Sequence, residues 1–325
     1  MNLKGLIILM RYIEDLKEDE KVIGHYLCKQ KQNLKSKSGK TYLSLKLQDK
    51  TGVIVAKVWD LNKDIQNFEE NQFIKIDGTV LTYQNEPQMK ITKIRRSMEG
   101  EYDPMDYIPC TDKDVNSLYN QIVDYIKTIN NPYMRQLLEN LVVKNSEIAR
   151  LLKVTSAGKN MHHSYMGGLI EHTLSIVQIC DFMSTRYKFV NRDLLISTAI
   201  LHDLGKIYEL SEFPINDYTD DGQLLGHIII CSEMVTKESN KIEGFPHSLQ
   251  SLIKHSILAH HGELEYGSPK TPKTIEAFIL HCADNMDAKI KMFEEMLEND
   301  NTPGDWAGYN KALSRNIRKS NILQT

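Results

Sequence analysis

Ten of the eleven histidines in this 325-residue chain fall between His162 and His281. The segment that most restricts the fold is Ile200-Leu201-His202-Asp203-Leu204-Gly205-Lys206. A His-Asp pair on an apolar helix that stops at a glycine is a metal-site arrangement, because the helix fixes where both sets of lone pairs point. Lys206 follows Asp203 by about one turn. The chain that carries this segment is therefore expected to form a helical bundle with polar ligands facing inward.

Other helices supply partners. His172 follows Gly167-Gly168 and shares a face with Leu169 and Ile176, while His227 follows Gly226 and opens an apolar helix. His260 lies one turn after Ser256 and Ile257, with His261 beside it and Gly262 closing the helix. Asp284 sits between Leu280 and Ala288 on a long helix that begins near Pro272. A single histidine on an apolar face is ordinarily a hydrogen-bonded core residue. Four such faces and two aspartates on separate helices would leave costly unpaired groups unless cations neutralise them. Mixed His/Asp donors suit Mn²⁺, Fe²⁺, Co²⁺ or Zn²⁺, and the lack of nearby thiolates argues against a structural zinc.

Charge divides the chain. Residues 17–96 carry 16 Lys/Arg and 10 Asp/Glu, a formal +6, leaving −9 for the rest of a chain whose total is −3. A basic segment beside an acidic one suits polyanion capture at one end and cation binding at the other. The five cysteines, Cys28, Cys110, Cys180, Cys231 and Cys282, never form a CxxC pair and fit a reducing cytoplasm. The run Leu6-Ile7-Ile8-Leu9-Met10 is too short for a signal-peptide core and meets Arg11 at once, so Met10 is a second candidate start. No run approaches the ~18 apolar residues of a membrane span. The expected protein is cytoplasmic, with no membrane contact.

Residues 1–16 read as an N-terminal extension and residues 17–97 as strands. Val22–Leu27, the alternating Tyr42–Gln48, Val53–Trp59, Phe73–Tyr83 and Met89–Arg95 make five, with turns at Asp49-Lys50-Thr51-Gly52 and Asn85-Glu86-Pro87. With a helical insert near Asp64–Glu70, this pattern predicts a small all-β barrel of the OB type. Lys29–Lys40 is expected to be a loop, and its five lysines include Lys35, Lys37 and Lys40. Tyr42 and Lys46 face outward on the second strand, and Lys57 and Trp59 share a face of the third. Aromatics interleaved with lysines suit single strands, each stacked base contributing ~1–3 kcal/mol with little regard to sequence.

Residues 98–110, with Gly100, Pro104 and Pro109, read as a linker. Residues 111–300 turn helical, starting at Thr111, with a helix from Pro132 to about Leu152. Residues 301–325 form a tail, whose basic stretch Trp306–Lys319 is expected to be a solvated helix, with RNA contact as the other use of its lysines and arginines.

The order His172, His202-Asp203, His227, His260-His261, Asp284 resembles the HD superfamily of metal-dependent phosphohydrolases in its two-metal form. The preceding barrel, Asp49-Lys50-Thr51-Gly52, His162-His163 before Gly167-Gly168-Leu169, and His260-His261-Gly262-Glu263-Leu264-Glu265-Tyr266-Gly267-Ser268-Pro269 narrow this. Together they look like the YhaM-type 3′→5′ exoribonucleases, from about Leu16 to Ala288. The resemblance implies an OB barrel followed by an all-α HD-domain bundle. It implies one metal at His172, His202, Asp203 and Asp284, and a second at His227, His260 and His261, with Asp203 bridging. Two divalent ions, manganese foremost, would then share a hydroxide that hydrolyses the last phosphodiester of single-stranded RNA, and also of single-stranded DNA, to nucleoside 5′-monophosphates. Lys206 would add charge at the phosphate, His162 and His163 would bind it, and His281 would hold Asp284 from behind.

Two other classes follow from the same residues. His260-His261 with Tyr266-Gly267-Ser268-Pro269 is similar to the HD-GYP signature of cyclic-dinucleotide phosphodiesterases, but Gly262 stands where that signature has glutamate and no Gly-Tyr-Pro follows. A non-catalytic RNA-binding protein is the third reading, disfavoured by the intact ligand set. Self-association into a homo-oligomer is compatible with the long helices.

Overall fold

The computed structural model describes residues 11–320 apart from 37, 85, 160–162, 299, 301 and 303, and apart from the side chain of Tyr266. Lys37 and His162 therefore lie outside the described residues. The chain divides between Cys110 and Thr111 into two compact units.

The first unit is a closed five-stranded barrel in the order β1-β2-β3-β5-β4. Its strands are β1 (Lys21–Lys35), β2 (Thr41–Asp49), β3 (Gly52–Val58), β4 (Phe73–Tyr83) and β5 (Glu86–Arg96). All neighbours are antiparallel except β3 with β5. The period-2 pattern of β2 sends Leu43, Leu45 and Leu47 into the core and leaves Lys46 exposed. Asp49 explains its motif: its buried carboxylate accepts from the Thr51 and Gly52 amides, the Thr51 hydroxyl and the Ile13 amide, which closes the β2–β3 turn.

Three expectations for this unit need correction. The lysine-rich segment is not a loop up to Lys40, because β1 continues to Lys35, where Lys35 pairs with Thr41 after a bulge between Cys28 and Gln30. No helix forms between Asp64 and Glu70. Ile65 bridges to Ile94 instead, and Phe68, 1% exposed, fills the barrel core, so the segment is tied to the sheet. Strand β3 ends at Val58, one residue short of Trp59. Residues 98–110, read as linker, contact the barrel. Tyr102 lies 4.2 Å from Phe73 between ring centroids, Tyr107 and Ile108 are buried, and Tyr12 donates to Asp106 at 2.7 Å.

The second unit is helical: α1 (Val115–Lys127), α2 (Pro132–Leu138), α3 (Ser146–Val154), α4 (Gly168–Arg186), α5 (Arg192–Leu201), α6 (Lys206–Glu209), α7 (Asp220–Leu224), α8 (Gly226–Ser239), α9 (His247–Ala259) and α10 (Ile275–Glu298). Helix α5 and the N-terminal part of α4, up to about Val177, are buried almost all round and form its centre. The helix expected from Pro132 to Leu152 is interrupted by a π turn at Glu139–Val143. It restarts at α3, where the Asn145 side chain accepts from the Glu147 and Ile148 amides. Thr111 does not start α1, which Asp114 caps; the Thr111 hydroxyl donates to Glu171 instead. The tail is a hairpin, β6 (Trp306–Asn310) and β7 (Arg315–Arg318), and not a helix. Gly308, at φ 89°, sits at the bulge that keeps the two strands paired.

Candidate metal centre

Each site histidine is aimed by its own helix. His202, at the end of α5, has Nδ1 2.8 Å from the Ala199 carbonyl, and His260, after α9, has Nδ1 2.7 Å from the Ile257 carbonyl. A carbonyl only accepts, so each Nδ1 carries the proton and each Nε2 presents a lone pair. The other two are held by carboxylates. His172 Nδ1 is 2.8 Å from Asp287 Oδ2, and His227 Nδ1 is 2.9 Å from Glu209 Oε1. All four Nε2 atoms surround Asp203. They lie 3.5 Å (His172), 3.5 Å (His202), 3.4 Å (His227) and 3.6 Å (His260) from one or other of its oxygens, and His172 Nε2 is 3.2 Å from Asp284 Oδ1.

The site divides in two about Asp203. Its Oδ2 faces His172 and His202, and its Oδ1 faces His227 and His260. One donor set of His172, His202 and Asp284, and a second of His227, His260 and His261, each have ligand atoms within 4.8 Å of one another. Asp203 Oδ1, His227 Nε2 and His260 Nε2 are buried without a hydrogen-bond partner. Buried acceptors left unsatisfied are costly, and three converging on one point are what a cation-binding cage requires. The donors present therefore fit divalent metal.

Two glycines let the elements close this far. A Cβ on Gly205 would stand 2.1 Å from the His227 carbonyl oxygen, so only glycine lets α6 approach α8. Gly262 has φ +80°, and a Cβ there would meet the His281 ring at 2.2 Å.

The electrostatics follow from burial and charge. Burial opposes protonation of His172, but Asp284 and Asp287 outweigh it and raise its pKa to about 9. Burial would likewise push the Asp203 carboxyl up, yet Lys206 and His202 hold it well below the usual carboxylate range. His261 is depressed to about 3 by burial and by His260 and His227 beside it, so it is a neutral donor at working pH.

Other residues of the expected set make contacts that the sequence did not announce. Lys206 Nζ pairs with Asp203 Oδ2 at 2.7 Å, so its charge sits against the ligand carboxylate. His281 Nδ1 is 2.9 Å from the His260 carbonyl oxygen, which fixes the end of α9. His163 is 3% exposed and lies between the Tyr165 hydroxyl (2.8 Å) and Asp287 (3.3 Å). Sequence reasoning missed Asp287 and Glu209. Their one available signal was spacing, since each lies about one turn beyond a residue already chosen, Asp284 and Lys206 respectively.

The barrel carries its own candidate surface. The β2–β3 register pairs Leu43 with Val58, so Trp59 falls opposite Tyr42 one step further on. Their rings stack 4.5 Å apart at 27°, Lys57 Nζ lies 5.4 Å from the Tyr42 ring, and Trp59 is 40% exposed. Lys57 also donates to Ser44 Oγ at 2.6 Å. Lys46 is exposed on the same face of β2, Lys35 ends β1, and Lys40 pairs with Asp60.

A helical bundle with this His/Asp cage, joined to an OB barrel, defines a metal-dependent hydrolase of the HD class with a nucleic-acid-binding type of module. The HD domain family matches residues 169–289, and the OB-fold nucleic acid binding domain family matches residues 28–96. The chain belongs to the YhaM family. It is 34% identical over 294 residues to "3'-5' exoribonuclease YhaM" of Geobacillus sp., covering 88% of this chain and 89% of that one. The protein of that name from Bacillus velezensis is 36% identical (86% and 88% covered), and that from Shouchella clausii is 36% identical (86% and 87% covered).

Proposed function

We propose that this chain is a 3′→5′ exoribonuclease that uses two divalent metal ions, manganese foremost, to release nucleoside 5′-monophosphates from single-stranded RNA. The observation that carries the reading is the set of unsatisfied buried atoms on Asp203, His227 and His260, all facing one point. His172, His202, Asp203 and Asp284 would hold one ion, and Asp203, His227, His260 and His261 the other. Bound there, divalent cations supply Lewis-acid neutralisation of phosphate charge and lower the pKa of water.

The protein's own groups do the rest. Asp203 offers one oxygen to each half of the cage. Lys206, buried and raised in pKa by Asp203, remains a cation beside the reacting phosphate, where charge develops in the transition state. His163 holds Asp287, and through it His172, instead of binding phosphate directly. Residues 17–97 would capture the strand by stacking on Tyr42 and Trp59, with Lys35, Lys46 and Lys57 along the backbone, and residues 111–300 would cleave it. That mode of capture also admits single-stranded DNA. The proposed setting is the cytoplasm, where five free thiols remain reduced.

The test is RNA labelled at its 5′ end, with and without a blocked 3′ end, incubated with Mn²⁺. The expected result is a ladder shortening from the free 3′ end and no digestion of the blocked strand. Internal cleavage of blocked RNA would overturn the reading.

A further inference from the structure

The tail hairpin has two unlike faces. Leu313 and Ile317 are buried on one side. On the other, the β6–β7 register sets Trp306 opposite Arg318 and Tyr309 opposite Asn316, and directly opposed residues share a face. All four are exposed, the two aromatics at 57% and 61%. The hairpin is anchored at its base. Lys319 pairs with Asp300 and donates to the Thr302 carbonyl at 2.9 Å, and the Thr302 hydroxyl donates to the Trp306 carbonyl at 3.1 Å. Strand β6 lies against α10, the helix that carries Asp284 and Asp287. Charge separates the hairpin from the rest of its unit. Residues 305–319 carry Lys311, Arg315, Arg318 and Lys319 against Asp305, a formal +3. Residues 111–304 carry 18 Lys/Arg and 26 Asp/Glu, a formal −8.

We propose that this face is a second platform for single-stranded nucleic acid, outside the barrel. Bases stack on Trp306 and Tyr309, while Arg318 and, at the turn, Lys311 meet the phosphates. The occupant is argued from the two properties together. An acidic protein surface would use the cations and leave the rings in water, and an apolar one would bury the guanidinium without a partner. A single strand offers flat rings and anionic phosphates in alternation, which is what aromatics interleaved with cations accept. The positive charge stands on an otherwise acidic unit, so the hairpin is where a polyanion meets that unit with least repulsion. The proposal deepens the exoribonuclease reading and rests on it, because it gives the helical unit its own hold on the strand.

The chain has two tryptophans, Trp59 and Trp306, so Trp59→Phe leaves Trp306 as the only one. This full-length variant is titrated with a short labelled RNA, a chelator keeping the strand intact. Anisotropy of the label reads binding, and tryptophan emission reads stacking. The expected result is quenching of Trp306 that saturates together with the anisotropy. Inorganic polyphosphate, which has the charge without the bases, should leave the emission unchanged. In the chain that keeps Trp59, Trp306→Ala with Tyr309→Ala should weaken RNA binding at least about 5-fold, with an unaltered circular-dichroism melt. Lys311→Glu should reduce the slope of affinity against salt by about 1. Bound RNA that leaves Trp306 emission unmoved, or a folded double variant of undiminished affinity, would overturn the proposal alone. A chain that binds no RNA would overturn the exoribonuclease reading with it. Self-association abolished by the double variant, with RNA affinity unmoved, would make the face a protein contact and overturn the proposal.

Discussion

At the scale of the residue, the centre depends on which nitrogen of each histidine is free. Two backbone carbonyls and two carboxylates take the four Nδ1 atoms, and this turns four Nε2 atoms toward Asp203. Carboxylate-backed histidines are the better donors, and removing such a partner typically costs 10–100-fold in metal affinity. Asp287→Asn should therefore weaken one Mn²⁺ equilibrium by that factor in a calorimetric titration, and unchanged affinity would show that Asp287 serves packing alone. The raised pKa of His172, about 9, has a consequence of definite sign. At neutral pH the metal-free protein holds a proton there, which a cation must displace, so affinity should rise with pH up to about 9. The same shift favours the metal-free fold below its unfolded pKa of ~6.5 and is lost as pH rises through about 9. Titrations in buffers of different ionisation enthalpy should show proton release on binding. If His172→Gln released as many protons, His172 would not be their source.

At the scale of the element, the stacked pair on the barrel makes a sharp prediction. Trp59→Ala removes half of the Tyr42–Trp59 stack, and at ~1–3 kcal/mol per stacked base it should weaken RNA binding about 5- to 150-fold. Turnover of a small phosphodiester should stay as it was. Filter binding and a chromogenic substrate separate the two readouts, and loss of both would place Trp59 in the fold's stability instead. Elements with a strong period were legible in the sequence. The leucines of β2 alternate, and each candidate ligand histidine opens, ends or lines a helix whose apolar pattern is plain. What stayed hidden depends on pairing between segments. Nothing in Lys29–Lys35 announces a strand until Thr41–Lys46 lies beside it, and Phe68 marks barrel core only once the sheet closes. Asp287 and Glu209 look like ordinary solvated acids along their own helices, and only the packing of α10 on α4, and of α6 on α8, turns them onto histidines. The tail has no apolar period to reveal its hairpin.

At the scale of the whole molecule, the two units differ in charge, with the excess of positive charge on the barrel segment and the buried carboxylates in the bundle. The central claim is that Asp203 is shared by two cation sites, because its two oxygens face different pairs of histidines. The most direct measurement is the Mn²⁺ stoichiometry of the full chain and of Asp203→Ala, by equilibrium dialysis with metal analysis. Two ions per wild-type chain are expected, with both affinities collapsing in the variant while its melting curve still shows a folded protein. A wild type that binds one ion, or a folded variant that keeps two with unchanged affinity, would contradict the account.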